Sequence, residues 1–197
     1  MMRQALGLIL LFVLSSAQAA LVDRGGGFIY DDVLDVTWTQ DANMATWDTW
    51  DNQNSWADSL SLYDSVRDVT WSDWRLASVD VNGDEVIANC SAVGEIACRD
   101  NELGYLNEYY GISSVDQGLF SDVQSWFYWS GTAESGLNAW ALQLGGTQGN
   151  TAKSQSFAAW AVMDGDVAAS VVPIPAAVWL FGSALGGLGW MRRRKSA

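Results

Sequence analysis

Three stretches of this chain hold residue types whose spacing suits chemistry. The first is Asp80-Val81-Asn82-Gly83-Asp84-Glu85, where Asp80, Asn82 and Asp84 alternate. Oxygen ligands at positions 1, 3 and 5 open a calcium-binding loop. The remainder of that pattern is missing, because Glu85 stands where such a loop needs glycine and its twelfth position is Ser91. Two readings stay open: an Asx-rich surface turn, or a calcium site of another kind completed by Glu95, Asp100 or Glu102. The second stretch is Trp126-Phe127-Tyr128-Trp129. In a strand, Trp126 and Tyr128 face one way and Phe127 and Trp129 the other. One face is core, and the other is either a second packed layer or a platform for sugar rings. Trp126, Tyr128 and Trp129 are therefore the candidate ligand-binding residues. The third is Asp73-Trp74-Arg75-Leu76. Here a structural role is expected: Arg75 forks onto a buried carboxylate or carbonyls while Trp74 and Leu76 anchor the core.

Absences matter as much. The chain has no histidine, which removes Ser-His-Asp and Cys-His nucleophile systems. No spacing among the 23 acidic residues singles out a general acid and base. No catalytic residue is assigned, and the chain is read as a non-enzyme. Cys90 and Cys98 are the only cysteines. In an oxidising compartment they are expected to form a local disulfide.

The elements that must position these residues follow from periodicity. Residues 25–41 read as a hairpin, with Phe28 and Tyr30 alternating before an Asp31-Asp32 turn and Leu34, Val36 and Trp38 after it. Residues 55–66 read as a helix capped by Ser55, with Trp56, Leu60 and Tyr63 on one face. Residues 99–111 read as a second short helix, with Asp100 as cap, Leu103, Leu106 and Tyr110 as its stripe and Gly111 as its stop. Three aromatic strands between Gly-rich turns complete the chain, and Trp140, Leu142 and Leu144 alternate within one of them. No internal repeat is read. Early helices and late strands argue for α+β.

The two ends read as addresses. Arg3, the apolar run 5–14 and the A-x-A pattern of Ala17 and Ala19 make residues 1–19 a signal peptide cleaved between Ala19 and Ala20. Residues 171–191 carry no charge and are followed by Arg192, Arg193, Arg194 and Lys195. As a helix, such a run spans roughly 30 Å, enough for a bilayer core, and the basic tail at 192–195 belongs on the cytoplasmic side. The region between, residues 20–171, holds five basic against 23 acidic residues, a net charge of −18. That field disfavours nucleic acid and anionic polymers, and it suits solubility or divalent cations.

Val172-Pro173-Ile174-Pro175, the apolar segment 176–191 and the basic tail resemble the PEP-CTERM sorting signal. Ile174 departs from the best-known form, which has glutamate between the prolines. The resemblance implies recognition by an exosortase of a Gram-negative bacterium that makes exopolysaccharide, and delivery to the cell surface or extracellular matrix. Residues 20–171 resemble the DUF1566 family, named also for the C-terminal domain of a Legionella collagen-like adhesin. The likeness rests on "GGGFIYDDVLDVTW", "WADSL", Asp73-Trp74-Arg75-Leu76, "YWSGT" and "AWAVMDGDV", in that order. Ala77 replaces the family's proline after Leu76, and Met163 stands where the last strand often has a basic residue. This resemblance implies a C-type-lectin-like α+β domain with two short helices, antiparallel strands and long loops. The lectin signatures E-P-N, Q-P-D and W-N-D are absent.

The expectation is a single such domain plus a C-terminal transmembrane helix at 176–191. It would be exported by the secretion machinery and held at the inner membrane with its domain in the periplasm. After exosortase processing it would sit at the surface or in the matrix and associate with exopolysaccharide. Calcium is the one cofactor the residues point to. A passive coat protein and a glycan-processing hydrolase are the alternatives.

Overall fold

The computed structural model describes residues 20–168. Within them one phrase occurs twice. Tyr30-Asp31-Asp32-Val33-Leu34-Asp35-Val36-Thr37-Trp38 and Tyr63-Asp64-Ser65-Val66-Arg67-Asp68-Val69-Thr70-Trp71 agree at seven of nine positions. Each copy folds into the same hairpin: β2 (Phe28–Asp31) with β3 (Val36–Thr39), and β4 (Leu62–Asp64) with β5 (Val69–Trp71). In both, the opening aspartate accepts two backbone N–H groups of the turn. Asp31 Oδ1 takes those of Val33 and Leu34 at 3.0 and 3.1 Å, and Asp64 Oδ1 takes those of Val66 and Arg67 at 2.9 and 3.2 Å. In both, the tyrosine hydroxyl donates to the closing aspartate at 2.8 Å, Tyr30 to Asp35 and Tyr63 to Asp68. Those closing aspartates stand at φ 54 and 55°, a left-handed conformation that aspartate tolerates better than most residues. The register matches too, with Tyr30 opposite Thr37 and Tyr63 opposite Thr70. The chain therefore has an internal repeat that hydropathy alone did not disclose.

The copies differ where it matters electrostatically. Arg67 Nη1 lies 2.7 Å from Asp64 Oδ2, and the Trp71 indole donates to the same oxygen at 3.3 Å. Burial would push the Asp64 carboxyl up, but Arg67, the turn N–H groups and Trp71 hold it below its ordinary range. In the first copy Leu34 replaces the arginine. Asp31 Oδ2 and Trp38 Nε1, the counterparts of the bonded pair, are buried without a partner. Burial pushes the Asp31 carboxyl up, against the pull of the turn N–H groups and of the Tyr110 hydroxyl at 2.9 Å.

Around these hairpins the chain adds β1 (Leu21–Gly25), α1 (Trp50–Ser59) and β6 (Arg75–Leu76). Next come α2 (Glu95–Cys98), α3 (Glu102–Glu108), β7 (Phe127–Ala133) and β8 (Asn138–Gln143). The last are β9 (Gln148–Ala152), β10 (Ala158–Ala159) and β11 (Ala161–Asp164). One sheet has the order β1-β2-β3-β11-β6, a second β10-β7-β8-β9, and the β4–β5 hairpin stands as a third. The first sheet is antiparallel throughout, whereas β10 runs parallel to β7.

The chain passes from the second sheet to the first at Trp160, between β10 and β11. Its indole donates to Thr39 O at 2.9 Å. Its ring meets Trp38, Phe120 and Tyr128 at centroid distances of 5.2, 4.7 and 5.7 Å. These rings centre a core that both large sheets share with Leu103 and Leu106 of α3. A second core packs α1 through Ala57 against Trp129, Ala139 and Ala141, on the second sheet. A third buries Phe28, Trp74, Ala161, Met163 and Val167 beneath the β4–β5 hairpin.

The architecture is thus mostly β, and this corrects the α+β, C-type-lectin-like expectation. Among the described residues the helices have only ten, four and seven residues. The expected helix at 55–66 is the largest departure. The helix starts after Thr49, stops at Ser59, and hands the chain to β4. Ser55 is therefore no cap, and Tyr63 lies 61% exposed on a strand. The reason is the repeat: a phrase that makes a hairpin at 30–38 makes one again at 63–71, whatever periodicity precedes it. The second helix begins one residue later than expected, with Asn101 rather than Asp100 as its cap, accepting from Gly104 N at 2.8 Å. No helix among the described residues is long and apolar enough to cross a membrane. The segment 176–191, the signal peptide 1–19 and the sorting motif Val172, Pro173, Ile174 and Pro175 lie outside the described residues.

The twin hairpins yield a paired expectation. Replacing Arg67 with leucine copies the first hairpin into the second and leaves a buried carboxylate alone. We expect a loss of about 3 kcal/mol in denaturant unfolding at neutral pH. The raised Asp31 carboxyl works in the same direction. Its folded pKa exceeds the unfolded value, so its contribution is complete at acid pH and lost as pH rises through that window. Asp31→Asn removes that pH dependence, which unfolding measured between about pH 3 and 7 will register.

Candidate functional site

The site is built on the segment Asp73-Trp74-Arg75-Leu76. Trp74 is buried and stacks on Phe28 at 5.7 Å, Leu76 points into the second core, and Asp73 is exposed. Arg75 lies between two carboxylates. Its Nη1 and Nη2 donate to Glu102 Oε2 and Oε1 at 2.8 and 2.7 Å. Its Nη2 also donates to Asp164 Oδ1 at 2.6 Å. Glu102 itself is 1% exposed and opens α3. A third charge-assisted bond comes from Ser78 N at 2.6 Å. Burial opposes the Arg75 charge, but Glu102 and Asp164 outweigh it and push its pKa higher still. This guanidinium is saturated, and it ties β6 to α3 and β11.

Over this clamp runs a cleft in two parts. The larger, about 460 Å³, is bounded by Arg75 and Asp164 at its base and by Asn54, Ser78, Asp80 and Thr132 along its sides. Gly131 lets the strands close up there. Its N–H donates to Ala77 O at 2.9 Å, and a Cβ would stand 3.3 Å from Leu76 O. The smaller part, about 300 Å³, shares Asp80 and Thr132 and continues past Glu85 and Glu134 to Trp140. Trp140 lies on the face of β8 opposite Ala139 and Ala141, which are buried against the second core, and its half-buried indole lines this part of the cleft.

The acidic loop forms the cleft's upper rim. Oxygens of Asp80, Asp84 and Asp100 lie within 4.8 Å of one another. Asp100 thus takes the place expected for Asn82, whose side-chain oxygen instead accepts Asp84 N at 2.8 Å. Much of this carboxylate capacity is turned on the loop itself. Asp80 accepts the N–H groups of Gly83, Asp84 and Glu85 at 2.9 to 3.2 Å, and Asp100 accepts Asn82 N at 2.8 Å. Of the other expected helpers, Glu102 is held by Arg75, and Glu95 bonds Arg99 and Tyr105 at 2.8 and 3.0 Å. Below the loop Cys90 and Cys98 form a disulfide. It packs on Tyr105 and presses on α3 so closely that a Cβ at Gly104 would meet Cys90 Sγ at 2.7 Å.

The aromatic run is not brought to this cleft. Tyr128 and Trp129 are fully buried, Phe127 is partly buried against the second core, and Trp126 is 49% exposed. Tyr128 Oη accepts Gln124 N at 2.6 Å, and burial pushes its ionisation upward. Trp129 donates to Asp48 O at 3.1 Å. Both faces of β7 lie against packed cores, since Tyr128 serves one and Trp129 the other. The residues that line the cleft instead, Asn54, Thr132, Glu134 and Trp140, were not singled out in the sequence. The small-large-small alternation Ala139-Trp140-Ala141 is the one local signal that marks any of them.

Every basic residue of the described region is already engaged. Arg24 pairs with Asp166, Arg67 with Asp64, Arg99 with Glu95, and Lys153 Nζ sits 4.0 Å above the Trp50 ring. With Arg75 clamped, the region offers only uncompensated negative charge to an incoming group.

Replacing Arg75 with methionine leaves Glu102 buried and unpaired. We expect a loss of about 3 kcal/mol in unfolding free energy at neutral pH. Denaturant titration of the two proteins checks this. No protein-family model matches the chain, and no curated protein matches it either.

Proposed function

We propose that this is an exported protein of a Gram-negative cell surface or extracellular matrix that binds polysaccharide in the cleft over Arg75. One observation carries the reading. The cleft combines an aromatic wall, Trp140, with the hydroxyl, amide and carboxylate groups of Thr132, Ser78, Asn54, Asp80 and Glu134. An apolar ring face beside a few placed polar groups is what a sugar ring needs. The two parts, of about 460 and 300 Å³, meet at Asp80 and Thr132 and have room for more than one sugar unit.

The ends of the chain support the delivery route. The signal pattern at 1–19 directs secretion, and the PEP-CTERM-like segment 172–197 suits recognition by an exosortase. The action is binding rather than catalysis, in keeping with the absence of histidine and of a nucleophile motif. Calcium enters as a ligand of the rim through Asp80, Asp84 and Asp100. A passive coat protein is favoured by one fact, that Trp38, Trp74, Trp129 and Trp160 all serve cores.

Calorimetric titration of the full chain with the producing strain's purified exopolysaccharide tests the reading. We expect saturable heat that Trp140→Ala weakens at least tenfold. Dependence on calcium would bring the aspartate rim into the site. No heat with or without calcium would leave the coat protein as the account.

A further inference from the structure

We propose that the cleft selects an amine-bearing, positively charged saccharide over neutral or anionic ones, an inference that rests on the saccharide reading above. The narrower part of the cleft brings the Trp140 indole together with Asp80, Glu85 and Glu134, and no basic residue lines it. Its neighbour contains one cation, Arg75, which Glu102 and Asp164 already neutralise. A sugar stacked on the indole therefore places its substituents among carboxylates.

The chemistry of that surrounding discriminates. An ammonium group gains from the indole face and from charge-assisted bonds to the carboxylates together. A neutral N-acetyl group in the same place strips water from those carboxylates and returns no countercharge. A uronate or sulfate meets repulsion, because the arginines and the lysine of the described region are all engaged elsewhere. A bare divalent cation has no use for the indole or for a cavity of about 300 Å³. The net charge of −18 over residues 20–171 extends the same preference beyond contact distance, drawing a polycation toward the cleft.

The test uses the full chain, by calorimetry near pH 6, where amines carry charge. The probes are glucosamine oligomers, N-acetylglucosamine oligomers of equal length, and trilysine. The amine-bearing oligomer is expected to bind at least tenfold more tightly than the acetylated one, and to weaken as salt is raised. The double variant Glu85→Gln, Glu134→Gln alters two exposed side chains, so the fold is not at risk. It is expected to remove that preference, bringing the affinities of the two oligomers to within about twofold of each other. Equal affinity for the two oligomers, or a preference that survives the double variant, overturns the amine selectivity alone. Trilysine binding as tightly as the glucosamine oligomer overturns it too, since the cleft would then read charge without sugar. Silence with both oligomers and with the native exopolysaccharide removes the saccharide reading as well.

Discussion

The contact between Arg75 and Glu102 is the constraint on which the rest of the site depends. It joins residues 27 positions apart, bidentately, with Glu102 almost fully buried. A carboxylate in that position is tolerable only because the guanidinium and Ser78 N both meet it. Once it forms, β6 is fixed against the start of α3. Asp164 of β11 then reaches the same guanidinium from 89 positions away. The floor of the cleft is the outcome. Its rim inherits the arrangement, because Asp100 lies just before α3 and its carboxylate holds Asn82 of the acidic loop.

Trp160 plays the corresponding part for the hydrophobic interior. It sits where the chain leaves one sheet for the other, and its indole N–H is satisfied by Thr39 O. Edge-to-face contacts join Trp38, Phe120 and Trp160 into one cluster of large rings. Two sheets with separate cores would leave a domain of this size with little apolar burial each. One ring cluster common to both avoids that. The cleft lies along the seam that results, between β6 of the first sheet and β7 of the second.

The duplicated hairpin shows how one phrase serves two environments. In β2–β3 both faces are covered, and the copy has Leu34 and a lone buried aspartate oxygen. In β4–β5 the hairpin stands as its own two-stranded sheet, and Arg67 compensates the equivalent aspartate. The identical residues supply the turn's hydrogen bonds and the strand pairing, and the change from Leu34 to Arg67 answers the surroundings. Hydropathy hides the repeat because its copies enter different cores; aligning the two Tyr-Asp turns exposes it at once.

Local chemistry was legible in the residues. The hairpin at Asp31, the apolar stripe of α3 and the strands β7 and β8 follow from side-chain period and turn preference, whereas the cap falls one residue later, at Asn101, and the last aromatic segment splits at Trp160 into β10 and β11. The disulfide is just as local, since it joins Cys90 to Cys98 across eight positions. So was the acidic charge balance of residues 20–171. Three things had to wait for the tertiary structure. One is that α1 ends at Ser59, because the β4–β5 hairpin claims residues 62–71. Another is that Tyr128 and Trp129 serve two cores, because β7 is sandwiched between them. The last is that Trp140, Glu134, Asp80 and Asp164 share one surface. Each of these depends on which distant segment covers a strand's second face, and that is settled by packing across the whole chain rather than by any window within it.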